Sequence, residues 1–201
     1  MTRILPGILA MAAVVVASNI LVQFLLLDGL LTWGAFTYPL AFLVTDVTNR
    51  LYGPALARKV VWAGFATGVV CSLIGSQIMG EFGPLVPVRI AVASGVAFLT
   101  AQLLDVAIFD RMRDGAWWRA PLVSSVLGSA VDTALFFSLA FAYFIPWGID
   151  AVAWASEPAP LLLVGPVAPL WVTLALADWG VKLAIAAIAL LPFRALTRQV
   201  A

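Results

Sequence analysis

The 201-residue chain has no histidine. That absence removes histidine metal ligands, histidine general bases and axial haem ligation together. It has one cysteine, Cys71, set inside an apolar run, so no disulfide framework can form. Charged residues make up only 10% of the chain, against about a quarter in a soluble domain. Basic residues are not interleaved with aromatics in a patch, which argues against nucleic acid as a partner. Zinc-binding spacings, phosphate-binding loops and Ser–His pairings are missing as well. A Ser–Lys dyad built on Lys182 is the one nucleophilic pairing left, and no catalytic motif surrounds it. Neither an enzyme nor a cofactor is expected.

What the chain does have is apolar surface: 64% hydrophobic residues and a mean hydropathy of +1.09. A core of this size cannot hide that much, so lipid must cover the remainder. The reading is a single integral membrane domain over residues 1–201, all-α, with about six spans. Runs of membrane-crossing length fall at Ile4–Leu27, Ala35–Leu51, Val60–Met79, Val86–Phe109, Ala120–Trp147 and Pro166–Leu191. Asp28–Gly34 and Gly80–Leu85 are very short connections. Pro39 falls inside the second run and predicts a kink or break there. The first run is too long, and too poor in small-residue cleavage signals, for a removed signal peptide.

Charge sets the expected orientation. Arg3, Arg50, Arg58, Lys59, Arg111, Arg113, Arg119, Arg194 and Arg198 all fall on one side of a six-span arrangement, nine of the eleven cations. Asp28, Glu81, Asp150 and Glu157 fall on the other side. The positive-inside rule makes the first side cytoplasmic and predicts that both termini lie there.

Six ionisable residues remain within the spans: Asp46, Arg89, Asp105, Asp132, Asp178 and Lys182. Such residues are expensive in a bilayer and mark functional positions by default. Asp132 lies eleven residues from Pro121, about 17 Å along a helix, and Asp178 twelve from Pro166, about 18 Å, so both sit near mid-membrane. Lys182 follows Asp178 by four residues and shares its helix face. Asp46 and Asp105 lie four to six residues from the cytoplasmic arginines, which makes salt bridges to them the favoured reading. Arg89, near the outer end of its span, could snorkel to the interface. Sixteen residues, about 24 Å of helix, separate Arg89 from Asp105, so two groups are expected. A central-to-outer group holds Asn19, Trp33, Phe36, Tyr38, Arg89, Asp132, Asp178 and Lys182, and reads as a ligand cavity. An inner group holds Asp46, Asn49, Gln102 and Asp105, and reads as a structural or gating lock.

Four stretches carry a family resemblance. Residues 32–58 read TWGAFTYPLAFLVTDVTNRLYGPALAR, and 18–23 read SNILVQ. Residues 89–113 read RIAVASGVAFLTAQLLDVAIFDRMR, followed by WWRAP, and 132–141 read DTALFFSLAF. With the late Asp178 and Lys182, these resemble the queuosine-precursor transporter family, of the vitamin-uptake type. The resemblance covers most of the chain; residues 148–164 diverge. It implies a bacterial inner-membrane protein that imports a 7-deazaguanine, the cyano or aminomethyl compound, for transfer RNA modification. It also implies a six-helix bundle similar to the substrate-binding subunits of energy-coupling-factor importers, which bind beneath the loop joining the first two helices. The alternative is a binding subunit that needs separate energising subunits, with Ala13 and Ala17 as a small-residue docking pair. The expected partners are the small 7-deazaguanine and membrane lipid, with a homo-oligomer allowed. A buried carboxylate would accept the ring's N–H donors, a cation or amide would serve its carbonyl, and aromatic side chains would stack on it.

Overall fold

A computed structural model describes residues 2–81 and 83–198. It shows an all-α membrane protein. Helices α1 (Leu5–Leu21), α2 (Gly34–Thr37), α3 (Leu40–Tyr52), α4 (Pro54–Gln77), α5 (Val88–Met112), α6 (Arg119–Phe141) and α7 (Leu170–Thr197) carry almost all of the regular structure. Four of them, α4 to α7, are long and apolar enough to cross a membrane, and α1 is a shorter apolar helix of 17 residues. The remaining elements are three short 3-10 helices, at Thr2–Ile4, Asp150–Ser156 and Leu161–Leu163, and three small antiparallel hairpins. These are β1 (Leu25–Leu26) with β2 (Leu31–Thr32), β3 (Met79–Gly80) with β4 (Gly83–Pro84), and β5 (Pro158–Pro160) with β6 (Val167–Pro169).

Helix ends differ from the hydropathy boundaries where turn chemistry overrides apolar content. The first apolar run continues to Leu27, yet α1 stops at Leu21. The rest of the run enters the hairpin in which β1 pairs with β2, turning at its tip through Leu27, Asp28 and Gly29, all with positive φ. In the second run α2 is a single turn, and α3 begins only after Pro39, which lacks the N–H a continuous helix would need. Gly53, at φ 84°, closes α3, and Pro54 opens α4 at the position where a missing N–H costs nothing. The fifth run extends to Trp147, but α6 ends at Phe141.

Arg89 explains that last boundary. Its side chain is 1% exposed. Nε donates to Leu139 O at 3.0 Å, and Nη2 to Ala142 O at 2.7 Å. Nη1 donates to Ile145 O at 2.7 Å and Trp147 O at 2.9 Å. A helix end leaves carbonyls without intrahelical partners, and one guanidinium satisfies several here while fixing the loop that follows. Arg89 therefore does not snorkel. Arg89→Ala is expected to lower stability by about 3 kcal/mol or more, since each charged hydrogen bond contributes about 1.5–3 kcal/mol and orphaned acceptors add to the loss. A thermal-melt series on detergent-purified protein checks this, with Arg89→Lys recovering only part of the loss.

Helix α5 packs most extensively on α6, which also packs on α7, while α1 and α3 both pack on α4. Met11, Val15, Val60, Val61 and Phe98 fill the first apolar cluster between α1, α4 and α5. Ala93, Phe137, Ala140 and Phe141 fill another with Val152 and Ala155 of the long loop. Gly128 of α6 sets the spacing of the inner seam. A Cβ there would stand 2.9 Å from Phe42 Cε1 and 3.4 Å from Asp105 Cβ, so α6 can approach α3 and α5 this closely only with glycine.

Candidate functional site

A cavity of about 430 Å³ opens between α1, the β1–β2 hairpin, α2, α5, α6 and α7. That size suits a small organic molecule. Its polar floor is built by Asp132 of α6 with Asp178 and Lys182 of α7. Lys182 Nζ lies 2.7 Å from Asp132 Oδ2 and 2.6 Å from Asp178 Oδ2. The i,i+4 spacing on α7 makes the second contact, and the α6–α7 packing makes the first. Tyr38 donates its hydroxyl to Asp132 Oδ1 at 2.9 Å, and its ring centroid is 5.5 Å from the Lys182 ammonium. Thr133 completes the group: its hydroxyl accepts from Lys182 Nζ at 2.9 Å and donates to Asp178 Oδ2 at 3.1 Å. With every group ionised, two carboxylates and one ammonium leave one net negative charge. Asp132 keeps 3% of its side chain exposed and Asp178 keeps 17%, so Asp178 is the more open of the two.

The walls are aromatic and apolar. Phe136, Phe137, Phe141 and Trp154 contribute on one side, and Leu25, Leu31 and Val22 on another. Asn19 lines the cavity with its amide nitrogen tied to Val15 O at 2.9 Å. Ser18 beside it hydrogen-bonds Thr37 at 3.0 Å, joining α1 to α2 across the mouth.

Of the residues expected at a ligand cavity, Asn19, Tyr38, Asp132, Asp178 and Lys182 line this one. Arg89, Trp33 and Phe36 do not. Arg89 is committed to backbone carbonyls, while Trp33 and Phe36 form an exposed pair with ring centroids 6.2 Å apart. Thr133, Trp154 and the three phenylalanines were not singled out from the sequence. Asp132–Phe141 contains four of the five, so the α-helical period starting from Asp132 would have pointed to Phe136; nothing in the sequence points to Trp154.

The inner group lies in the α3–α5–α6 seam. Thr45 donates to Gln102 Oε1 at 2.6 Å, and Asn49 Nδ2 donates to Val106 O at 3.1 Å. Asp46 accepts from the hydroxyls of Ser124 at 3.3 Å and Ser125 at 3.2 Å. The expected salt bridges from Asp46 and Asp105 to arginines do not form among the described residues. The arginines have other work at the helix ends: Arg50 donates to Arg113 O and Arg113 to Asn49 O, both at 2.7 Å.

A bundle of apolar helices around a cavity with a charged floor is the arrangement of a membrane protein that captures or conducts a small solute. The family model described as "Putative vitamin uptake transporter" matches residues 32–197. The "Queuosine precursor transporter" of Escherichia coli (strain K12) is 35% identical over 192 residues, covering 89% of this chain and 79% of that protein. The "Probable queuosine precursor transporter" of Haemophilus influenzae is 39% identical over 121 residues, 55% of this chain and 52% of its own length. That of Bacillus subtilis is 31% identical over 135 residues, 57% of this chain and 58% of its own. The chain belongs to the queuosine precursor transporter family and is a multi-pass bacterial membrane protein. No solved structure gives a significant match.

Proposed function

We propose that this protein imports a queuosine precursor, a 7-deazaguanine in its cyano or aminomethyl form, across the inner membrane, and that the cavity floored by Asp132, Asp178 and Lys182 is its binding site. The observation that carries this reading is the charged trio in a cavity of about 430 Å³ walled by phenylalanines. The pyrimidine edge of a deazaguanine presents N–H donors beside a carbonyl acceptor. A carboxylate accepts the donors, the ammonium or Asn19 serves the carbonyl, and the aromatic wall takes the ring face. Relatives named as transporters support a role in transport rather than only in capture. Titration of the purified protein with a panel of deazapurines tests the reading. Saturable binding of 7-cyano- or 7-aminomethyl-7-deazaguanine, with adenine-type rings rejected, is expected; failure to bind any of them sinks it.

The same proposal includes six crossings, with α2 and α3 together making the second and both termini in the cytoplasm. Nine cations on one side support it. Single cysteines placed at Glu157 and at Arg198, with Cys71 replaced, should react with an impermeant reagent from opposite sides. Labelling of both from the same side would mean that α7 does not carry the chain across the membrane between them, and would sink the six-span arrangement.

A further inference from the structure

The inner seam holds a second polar centre outside the cavity. Asp105 is fully buried, and neither of its carboxylate oxygens has a hydrogen-bond partner among the described residues. Asp46, 2% exposed, faces it from α3, and Ser124 lies against both. Among the described residues no cation forms a salt bridge with either. On α3, Arg50 is one turn away, near enough to Asp46 to attract it, but its hydrogen bond goes to the carbonyl of Arg113 just beyond α5 and not to a carboxylate. On α4, Arg58 and Lys59 are exposed. The groups facing from α6 are hydroxyls, and α5 supplies only the amide of Gln102 nearby. On α7, Lys182 is bonded to Asp132 and Asp178.

Two ionised carboxylates buried together without a counter-charge cannot persist at ordinary cost. A single proton between them removes half the charge and turns one carboxyl into a donor, giving an orphaned acceptor its partner. The surroundings favour a proton over a metal cation. Both oxygens of Asp46 already take serine hydroxyls, and Gln102 Oε1 already takes Thr45. The unpartnered atom of Gln102 is its donor Nε2, which suits a carboxylate and repels a cation. A crevice of about 10 Å³ has Asp46, Ser125, Ser129 and Lys182 in its otherwise apolar lining, so one carboxylate of the seam and the lysine of the cavity floor border the same small space. It has room for about one water.

We propose that Asp46 and Asp105 form a proton-binding site, one proton shared between two carboxyls, and that the crevice links its occupancy to the Lys182 centre so that a proton is imported with the substrate. The second half rests on the cavity being the substrate site; the first does not. Loading forms one carboxyl O–H bond with a proton taken from water on the outer side, and release breaks that bond and delivers the proton to water on the cytoplasmic side. Nothing else is oxidised, reduced or transferred.

Infrared spectroscopy of the wild-type protein in sodium-free lipid tests the site itself. A protonated-carboxyl stretch at neutral pH is expected, shifted by deuterium exchange, lost in Asp105→Asn and in Asp46→Asn, and unchanged by added sodium. Absence of the band in the wild type, or its removal by sodium, overturns the proposal; if one variant does not fold, the other and the wild-type spectrum decide. Proteoliposomes test the coupling. Entry of 7-cyano-7-deazaguanine under an inward proton gradient should run several-fold faster than without one, and a proton ionophore should abolish the gain. Asp105→Asn should still exchange substrate across the membrane while ignoring the gradient. Acceleration by a sodium gradient instead, or a variant as gradient-sensitive as the wild type, overturns the coupling. A wild-type protein that neither binds nor exchanges the substrate would instead refute the reading of the cavity, and the infrared result would still decide the proton site.

Discussion

Lys182→Met is expected to destabilise the protein by about 3–5 kcal/mol, the usual loss when one partner of a buried ion pair is removed. Its ammonium is 4% exposed and lies within hydrogen-bonding distance of two carboxylates and the Thr133 hydroxyl. Methionine fills similar volume and restores none of those contacts. Asp132 and Asp178 would then face each other as unneutralised charges across the α6–α7 seam. The measurement is the melting temperature of the purified variant in detergent, with monodisperse yield as a second reading. Lys182→Met combined with Asp132→Asn removes one of the stranded charges and should recover part of the loss, a non-additivity that residues in one network show. A single variant that melts with the wild type would mean that the trio does not hold α6 to α7.

Much of this arrangement was legible from sequence because membrane cost makes charge informative. Asp132 and Asp178 stand out at mid-membrane depth by counting residues from a proline, and the i,i+4 spacing names Lys182 as a partner of Asp178. The structure adds that Asp132 is equally its partner, at 2.7 Å. No spacing rule reaches across two helices fifty residues apart in sequence, and none predicts that Tyr38, on the second apolar run, closes the same centre from the far side. The helix ends were less legible. Apolar content continues past Leu21 and Phe141, so hydropathy alone runs the spans on. Beyond Leu21 the chain enters the β1–β2 hairpin, whose tip is the positive-φ turn at Leu27–Gly29, and beyond Phe141 the Arg89 guanidinium takes the helix-end carbonyls. Arg89 also illustrates why position along a span does not assign a role. Its depth fits a ligand contact or a snorkelling cation, and only the four carbonyls gathered around it distinguish a helix cap from either. The arginines near Asp46 and Asp105 repeat the point: sequence proximity suggested salt bridges, whereas orphaned helix-end carbonyls took the guanidinium groups first.

Asp178→Asn is expected to weaken binding of a 7-deazaguanine by roughly ten- to a hundredfold, corresponding to the loss of one charged hydrogen bond worth about 1.5–3 kcal/mol. Asp178 is the more open carboxylate of the trio, with 17% of its side chain exposed at the cavity floor. The amide keeps shape and one acceptor but turns the second oxygen into a donor, which then meets the donors of the ring. The change leaves Lys182 paired, because Asp132 Oδ2 remains 2.7 Å from its ammonium. Sequence spacing alone gives Lys182 only its i+4 partner and would have forecast a stranded lysine. Protein yield and melting temperature should therefore stay near those of the wild type, separating loss of affinity from loss of fold. Asp132→Asn should also weaken binding, with a larger effect on stability, since Asp132 holds both Tyr38 and Lys182. Tyr38→Phe removes one hydroxyl and leaves both carboxylates in place, so it serves as the milder control. Equilibrium titration of all three variants with the same ligand checks the order. If Asp178→Asn and Asp132→Asn both bind within about twofold of the wild type, a difference below about 0.5 kcal/mol, the ligand does not use this floor.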